Sequence, residues 1–186
     1  MKKKNVKTGI IGSGFSASFH FEALHKVYGT GIEITGVFSP TQSKREAFAQ
    51  KRGIQAFQTL DQILDPSDVV HICTPPSTHE TLAVAALTRD KFAIVEKPLT
   101  GYFGEGSETF DGDHFPRQGA LDHALQSIQR VMEAEKKSKG KLLYAENRVH
   151  ALTRCSRCHL HHLQRLCVSG KKGGRNTHPD LLIHGP

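Results

Sequence analysis

The feature that most constrains this chain is a glycine-rich segment near its start. Gly12, Gly14 and Ala17 follow an apolar run, Val6–Ile11, and precede a helical pattern. At this spacing the first glycine permits a tight turn, the second lets the backbone approach a bound phosphate, and the alanine lets helix and strand pack closely. The segment predicts a dinucleotide-binding turn at a helix N-terminus, where free N–H groups face the ligand. A glycine-rich turn in an unrelated α/β protein is the alternative. The predicted binding residues are Gly12, Ser13, Gly14, Phe15 and Ser16.

Short apolar runs alternate with helical patterns through the first 150 residues, which is typical of a parallel sheet with crossover helices. Strands are predicted at Val6–Ile11, Glu33–Phe38, Gln55–Phe57, Val69–Cys73, Phe92–Val95 and Lys141–Ala145. Helices are predicted at Ser18–Val27, Ser43–Arg52, Leu60–Leu64, His79–Arg89 and along Leu121, Leu125, Ile128 and Met132 to Lys137. An inserted, exposed loop is predicted over 101–118, which has four glycines and no periodicity. The predicted fold class is therefore α/β: a Rossmann-type doubly wound parallel sheet forming one domain over 1–150.

The end of the second predicted strand bears on the choice of dinucleotide. A carboxylate at this position would bind the ribose 2′-hydroxyl of NAD. Here the strand ends at Ser39, with Thr41, Lys44 and Arg45 close behind. A hydroxyl and nearby cations tolerate a 2′-phosphate better than a carboxylate does, so NADP is favoured over NAD by a small margin. The alternative is that Lys44 and Arg45 belong to a solvated helix face.

Three segments in this order resemble the Gfo/Idh/MocA family, which includes glucose–fructose oxidoreductase and inositol 2-dehydrogenase. The first is Gly12-Ser13-Gly14-Phe15-Ser16-Ala17-Ser18-Phe19-His20. The second is Cys73-Thr74-Pro75-Pro76-Ser77-Thr78-His79, and the third is Val95-Glu96-Lys97-Pro98-Leu99. The resemblance covers roughly residues 5–149. It implies the N-terminal NAD(P)-binding domain of an oxidoreductase that acts on a sugar or cyclitol hydroxyl.

The resemblance also implies roles for individual residues. Cofactor contacts are expected from Thr74, Pro75, Pro76 and His79 and from Glu96 and Lys97. Lys97 is expected beside the nicotinamide as the catalytic residue that assists proton movement at the substrate hydroxyl. An ammonium there can stabilise alkoxide charge while hydride leaves the carbon. Without the resemblance, a lysine after a strand would be interpreted as a surface lysine.

The last segment, 151–186, departs from the family, which continues with a substrate-binding domain. It has six Lys or Arg residues, one Asp, five His and three Cys, and it is too short for that domain. We expect a truncated, poorly ordered basic tail, translated out of frame, whose deletion leaves cofactor binding and melting temperature unchanged. A haem attachment at Cys155, Cys158 and His159, or a zinc site that adds His162 and Cys167, is a less favoured interpretation. No metal site is predicted.

Charge and hydropathy limit the partners and location. The chain carries a formal charge of +7, but the tail described above accounts for +5 of it, so a nucleic-acid partner is not expected. No apolar run approaches the roughly 20 residues of a membrane helix, and no clear cleavage site follows Met1–Lys4, so a cytoplasmic location is predicted. Oligomerisation is not expected without the second domain. The alternative function is non-catalytic dinucleotide binding by a fragment of the family fold.

Overall fold

Six parallel strands form one sheet in the computed structural model, which describes residues 5–104 and 110–146. The strands are β1 (Asn5–Ile11), β2 (Gly31–Phe38), β3 (Ala56–Phe57), β4 (Val69–Ile72), β5 (Phe92–Glu96) and β6 (Leu142–Ala145). The helices are α1 (Phe15–Leu24), α2 (Gln42–Arg52), α3 (Leu60–Leu64), α4 (His79–Thr88) and α5 (Arg117–Lys137). The predicted tail, with its candidate haem and zinc ligands, lies outside the described residues.

The strand order is β3-β2-β1-β4-β5-β6, and every neighbouring pair is parallel. The chain therefore leaves β1 in one direction along the sheet and, after β3, returns past β1 to build the other half. The order reverses between β1 and β4, and such a reversal opens a crevice beyond the carboxyl ends of the two strands. The predicted Rossmann-type doubly wound fold is confirmed.

Two hydrophobic clusters cover the two faces of the sheet. One cluster joins the sheet to α3, α4 and α5 through Ile63, Leu64, Ala83, Leu87 and Val131. The other joins it to α1 and α2 through Ala17, Phe21, Phe48 and Ala49. Consecutive strand residues divide between the faces, as at Ile10 and Ile11, because side chains alternate along a strand. Both faces are thus closed near the centre, and the strand ends are left for binding.

Three helix boundaries lie three or more residues from the sequence prediction. Helix α1 begins at Phe15, three residues earlier than predicted, because Gly14 is already extended and serves as its N-cap. It ends at Leu24, three residues before the predicted end. Helix α5 begins at Arg117, inside the segment predicted to be a loop.

The apolar residues that predicted α5 do not form its buried face. Leu121, Leu125 and Met132 are each about half exposed, whereas Ser127 and Val131 are buried. The preceding loop is also not wholly exposed, since Tyr102 stacks on His123 with ring centroids 4.2 Å apart. The aromatic side chains of the loop take part of the packing that the α5 leucines were expected to provide.

Candidate cofactor site

The predicted site residues gather at one edge of the sheet. Residues 12–16 follow β1, Ser39 follows β2, Thr74–Pro76 follow β4, and Glu96 and Lys97 end or follow β5. Because all these strands are parallel, their carboxyl ends meet at the same edge. Segments up to 85 positions apart in the chain are thereby placed around the crevice between β1 and β4.

The glycine turn contains one glycine packed against protein and one facing open space. Gly12 has φ of 114°, and a Cβ there would overlap the carbonyl oxygen of Cys73. The Gly12 N–H donates to the Phe38 carbonyl oxygen at 2.7 Å, which holds the turn against β2. A Cβ on Gly14, by contrast, would meet nothing within 4 Å. Gly12 therefore serves the fold, while the room at Gly14 is open to a ligand.

The start of α1 lacks partners of its own. No side chain caps the helix at Gly14. The hydroxyl of Ser16, in the first turn, is buried without a well-formed hydrogen bond among the described residues, and it lies close enough to Glu96 and Cys73 to lower the pKa of both side chains. Unpaired N–H groups at a helix N-terminus are the groups that a phosphate oxygen or diphosphate would satisfy. These residues fit the diphosphate of a dinucleotide.

The end of β2 combines two hydroxyls with a buried cation. Ser39 Oγ lies 3.0 Å from Ser13 Oγ, so the second strand is tied to the glycine turn. Arg45 is only 7% exposed, donates to the Ser39 carbonyl oxygen at 2.7 Å, and has a buried Nε without a partner among the described residues. Lys44 is exposed. The alternative of a solvated helix face therefore holds for Lys44 and is wrong for Arg45.

His79 is 1% exposed and joins the turn after β4 to the turn after β5. Its Nδ1 lies 2.8 Å from the Pro98 carbonyl oxygen, and its Nε2 lies 2.9 Å from the Thr74 carbonyl oxygen. Both partners can only accept, so the imidazole donates from whichever nitrogens are protonated. The structure thus places His79 between the turn after β4 and the turn after β5, beside the predicted cofactor contact at Thr74.

Glu96 is the first of three polar side chains that are hydrogen-bonded in series near the same edge of the sheet. Its Oε1 is 2.9 Å from His20 Nε2, and His20 Nδ1 is 2.8 Å from His71 Nδ1. Its Oε2 accepts from the main-chain N–H of Lys97 at 3.1 Å. Burial alone would raise the pKa of the Glu96 carboxyl, but the hydrogen bonds from His20, Ser16 and the Lys97 main chain outweigh it and hold the pKa below its ordinary value.

Two neighbouring groups are kept neutral by burial. Burial, together with the nearby charge on His20, lowers the pKa of His71 to about 3. Burial, the largest effect, and the Glu96 carboxylate raise the pKa of the Cys73 thiol to about 12, although a hydrogen bond from Ser16 opposes them. The neutral thiol is a poor nucleophile, and Cys73 is buried in the hydrophobic cluster that joins the sheet to α1 and α2.

Lys97 stands apart from this array, with an exposed side chain at the carboxyl end of β5. An exposed ammonium at this position can meet a molecule bound over the sheet edge.

Within residues 5–104 and 110–146, no group of three metal-ligating side chains is arranged to hold an ion. In the same part of the chain, no helix is long and apolar enough to cross a membrane.

Sequence reasoning did not assign a role to His20 or His71. His20 is the final residue of the first family-like segment, and His71 interrupts the apolar run of β4. A histidine within a buried strand is a signal that polar partners lie nearby, because a buried imidazole needs hydrogen bonds. The identity of those partners depends on the tertiary structure.

Comparison with known proteins gives a family match over most of the described domain. The model of the GFO_IDH_MocA oxidoreductase family, with an NAD-binding Rossmann fold, matches residues 6–111. Glucose-6-phosphate 3-dehydrogenase of Bacillus subtilis (strain 168) is 32% identical over 101 residues, which are 54% of this chain and 28% of that protein. Inositol 2-dehydrogenase of Leifsonia xyli subsp. xyli is 32% identical over 98 residues, which are 52% of this chain and 29% of that protein. The chain thus spans less than a third of the length of these relatives.

Solved structures share the fold over a larger part of the chain. An NAD-binding protein from Listeria innocua matches with a TM-score of 0.61 and 24% identity, over 78% of this chain and 36% of that one. The WlbA dehydrogenase from Bordetella pertussis, in complex with NADH and UDP-GlcNAcA, matches with a TM-score of 0.63 and 15% identity. That match covers 81% of this chain and 37% of WlbA. At these identities the likeness is one of fold.

Proposed function

This chain belongs to the Gfo/Idh/MocA oxidoreductase family through its NAD-binding Rossmann domain, and we propose that it binds NAD or NADP across the crevice between β1 and β4. In this proposal the domain presents Lys97 to a sugar or cyclitol hydroxyl. The observation that carries the proposal is the start of α1. There an uncapped helix N-terminus and open space at Gly14 occur together.

In this proposal, each part of the crevice binds a different part of the dinucleotide. The turn at Gly12–Ser16 holds the diphosphate through main-chain N–H groups. Ser39 and Arg45 lie at the end of β2, where the adenosine ribose is bound in this fold. The turn at Thr74–Pro76, held from below by His79, forms the wall nearest β4. Glu96 and Lys97 then remain for the nicotinamide end.

When bound, the oxidised nicotinamide supplies a hydride acceptor. The protein's own contribution at the reacting hydroxyl is the Lys97 ammonium, which stabilises negative charge on the oxygen as its proton departs. Glu96 stabilises the turn that carries Lys97, because its carboxylate accepts a hydrogen bond from the main-chain N–H of Lys97. The names of relatives, glucose-6-phosphate 3-dehydrogenase and inositol 2-dehydrogenase, support a polyhydroxylated ring as the substrate class.

Gly14→Asp tests the diphosphate site. The added Cβ meets no protein atom, so the variant should fold with an unchanged melting temperature. Its carboxylate would repel the diphosphate, and we expect NADH affinity to be lost in a calorimetric titration. The control is Gln129→Asp, which adds the same charge at an exposed position of α5 and should bind as the parent does. A folded Gly14→Asp protein with unchanged NADH affinity would refute the proposed site.

The preference between the two dinucleotides is a finer part of the proposal. Ser39 provides no carboxylate for a 2′-hydroxyl, and the guanidinium of Arg45 is buried beside it with Nε unpaired. We propose that NADPH binds at least as tightly as NADH. Ser39→Asp should reverse this order, since a carboxylate accepts from the 2′-hydroxyl and repels a 2′-phosphate. The parent chain binding NADH much more tightly than NADPH would contradict the preference without affecting the diphosphate site.

A further inference from the structure

His20, His71 and Glu96 form a continuous hydrogen-bonded array whose two histidines have no part in the proposed function. The members come from α1, β4 and β5, and the donor–acceptor distances are 2.8 Å and 2.9 Å. The side chains of His20 and Glu96 are 11% and 15% exposed. Within the described ranges, the ion-pair partner of Glu96 is His20. The charge carried by His20 therefore decides whether the Glu96 carboxylate is neutralised.

The geometry permits His20 to be neutral or charged without losing either hydrogen bond. When neutral, His20 donates from Nε2 to Glu96 and accepts at Nδ1 from the Nδ1–H of His71. When protonated, His20 donates from both nitrogens, and His71 accepts at Nδ1 after its own proton moves to Nε2. His71 itself stays neutral because its burial strongly disfavours the imidazolium. The three side chains can thus take up one proton without moving.

We propose that His20 tunes the balance between the oxidised and reduced cofactor by setting the net charge beneath the nicotinamide. The inference rests on the proposed function, which places the nicotinamide beside Glu96 and Lys97. The oxidised nicotinamide ring carries a positive charge, and the reduced ring carries none. With neutral His20 the unneutralised Glu96 carboxylate attracts the oxidised ring. With protonated His20 the pair is neutral, and the preference for the oxidised ring is lost.

Other charged and titratable groups around the array do not replace His20 in this role. From β4, His71 is held neutral and Cys73 is a thiol whose pKa burial raises to about 12. From β6, Tyr144 has a phenol whose pKa is raised, by burial and then by nearby carboxylates, so it is uncharged at neutral pH. Lys97 has an exposed side chain and donates its main-chain N–H to Glu96. Histidine is the side chain that ordinarily changes charge between pH 5 and 8.

The test is the pH dependence of the ratio of two dissociation constants, for NAD+ and NADH, measured with the full chain by calorimetry. Effects of pH on the diphosphate and ribose contacts are common to both ligands and cancel in the ratio. We expect the ratio Kd(NAD+)/Kd(NADH) to rise on the order of tenfold between about pH 8 and about pH 5, as a unit charge is added near the ring. Replacing His20 with Gln keeps an N–H donor towards Glu96 and removes the charge change. The ratio should then be independent of pH.

His25→Gln provides the matched control, because His25 lies directly after the same helix and its Nδ1 contacts the Phe21 carbonyl oxygen. In this variant the ratio Kd(NAD+)/Kd(NADH) should rise with falling pH as in the parent chain.

A second measurement requires no variant. At one pH near neutrality, the number of protons taken up on binding, obtained from titrations in two buffers of different ionisation enthalpy, should be greater for NADH than for NAD+.

The outcomes separate this inference from the function on which it rests. If the parent chain bound neither NAD+ nor NADH, the proposed function would be refuted. Binding of both ligands with a pH-independent ratio and equal proton uptake would overturn the role of His20 and leave the cofactor site intact. A ratio that varies with pH equally in the parent and in His20→Gln would also overturn it, since another group would then carry the proton.

Discussion

Two glycines of one turn are required for different physical reasons. Gly12 adopts φ of 114°, and its missing Cβ leaves room for the carbonyl oxygen of Cys73, the residue after β4. A side chain there would strain the backbone and separate two strands of the sheet. Gly14 has an ordinary extended conformation and open space in front of it. The first glycine is a requirement of folding, whereas the second matters only when a ligand lies against the turn.

At the same scale, His71 makes stability depend on pH. Its pKa is about 3 in the folded chain, against 6.5 for the unperturbed side chain. A group with a depressed folded pKa stabilises fully above its unfolded pKa, and this stability is lost as pH falls from 6.5 towards 3, because the unfolded state takes up the proton first. Each pH unit in that window should cost about 1.4 kcal/mol of unfolding free energy.

Denaturant titrations of the parent chain and of His71→Leu, between about pH 4 and about pH 6, measure this contribution. We expect the slope of unfolding free energy against pH to be smaller in the variant by about 1.4 kcal/mol per pH unit. Other titrating groups occur in both proteins, so the difference in slope isolates the His71 array. Equal slopes would mean that His71 takes up a proton in the folded chain.

At the scale of elements, α4 is tied to both neighbouring turns by one residue at its first position. The His79 ring lies within hydrogen-bond distance of the carbonyl oxygens of Thr74 and Pro98. The turns after β4 and β5 are therefore held next to each other. His79→Leu would remove the imidazole that lies between the two oxygens and replace it with a side chain that cannot donate a hydrogen bond. We expect a loss of about 2–4 kcal/mol in unfolding free energy and a weaker affinity for NADH.

The matched control for this helix is Thr88→Ala, at the last residue of α4. The Thr88 hydroxyl is exposed and donates to the Val84 carbonyl oxygen within the same helix. Its removal should change the unfolding free energy by less than about 0.5 kcal/mol. A His79→Leu protein as stable as Thr88→Ala in denaturant titration would show that the two carbonyl oxygens find other donors, and that His79 does not hold the crevice.

Helix α5 shows how an element can be predicted while its packing is not. The recurrence of Leu121, Leu125 and Met132 correctly indicates a helix. The helix nevertheless buries Ser127 and Val131, with Arg130 paired to Glu80 of α4. The aromatic loop before α5 and the position of α4 decide its rotation, and neither is encoded in the period of the helix.

For the whole molecule, the described residues contain the cofactor side of the proposed reaction. Hydride transfer also requires the substrate carbon to be held close to the nicotinamide, where a misplacement of about 1 Å can cost roughly a hundredfold in rate. The relatives are more than three times as long as the segment that matches this chain. We therefore predict that the chain alone binds the dinucleotide and turns over no sugar or cyclitol.

A panel of sugars and cyclitols, followed by the absorbance of the reduced nicotinamide, tests this prediction. Lys97→Ala is the control, because Lys97 is the exposed ammonium at the end of β5. We expect background rates from both proteins and unimpaired binding of NADH by the parent. Turnover by the parent that disappears in Lys97→Ala would show that the chain is a complete enzyme and that Lys97 is catalytic.

Local patterns in the sequence predicted the parallel α/β fold, the glycine turn and the placement of Ser39, Thr74 and Lys97 at strand ends. These features follow from local rules: the period of apolar residues and the turn chemistry of glycine and proline act within a few positions. The tertiary structure alone decided that Arg45 is buried and that His79 supports two turns. It also joined His20 to His71 and Glu96, which lie 51 and 76 positions away in the chain. Such partners are unpredictable from one sequence, because a buried polar group requires hydrogen bonds but does not specify which distant residue provides them.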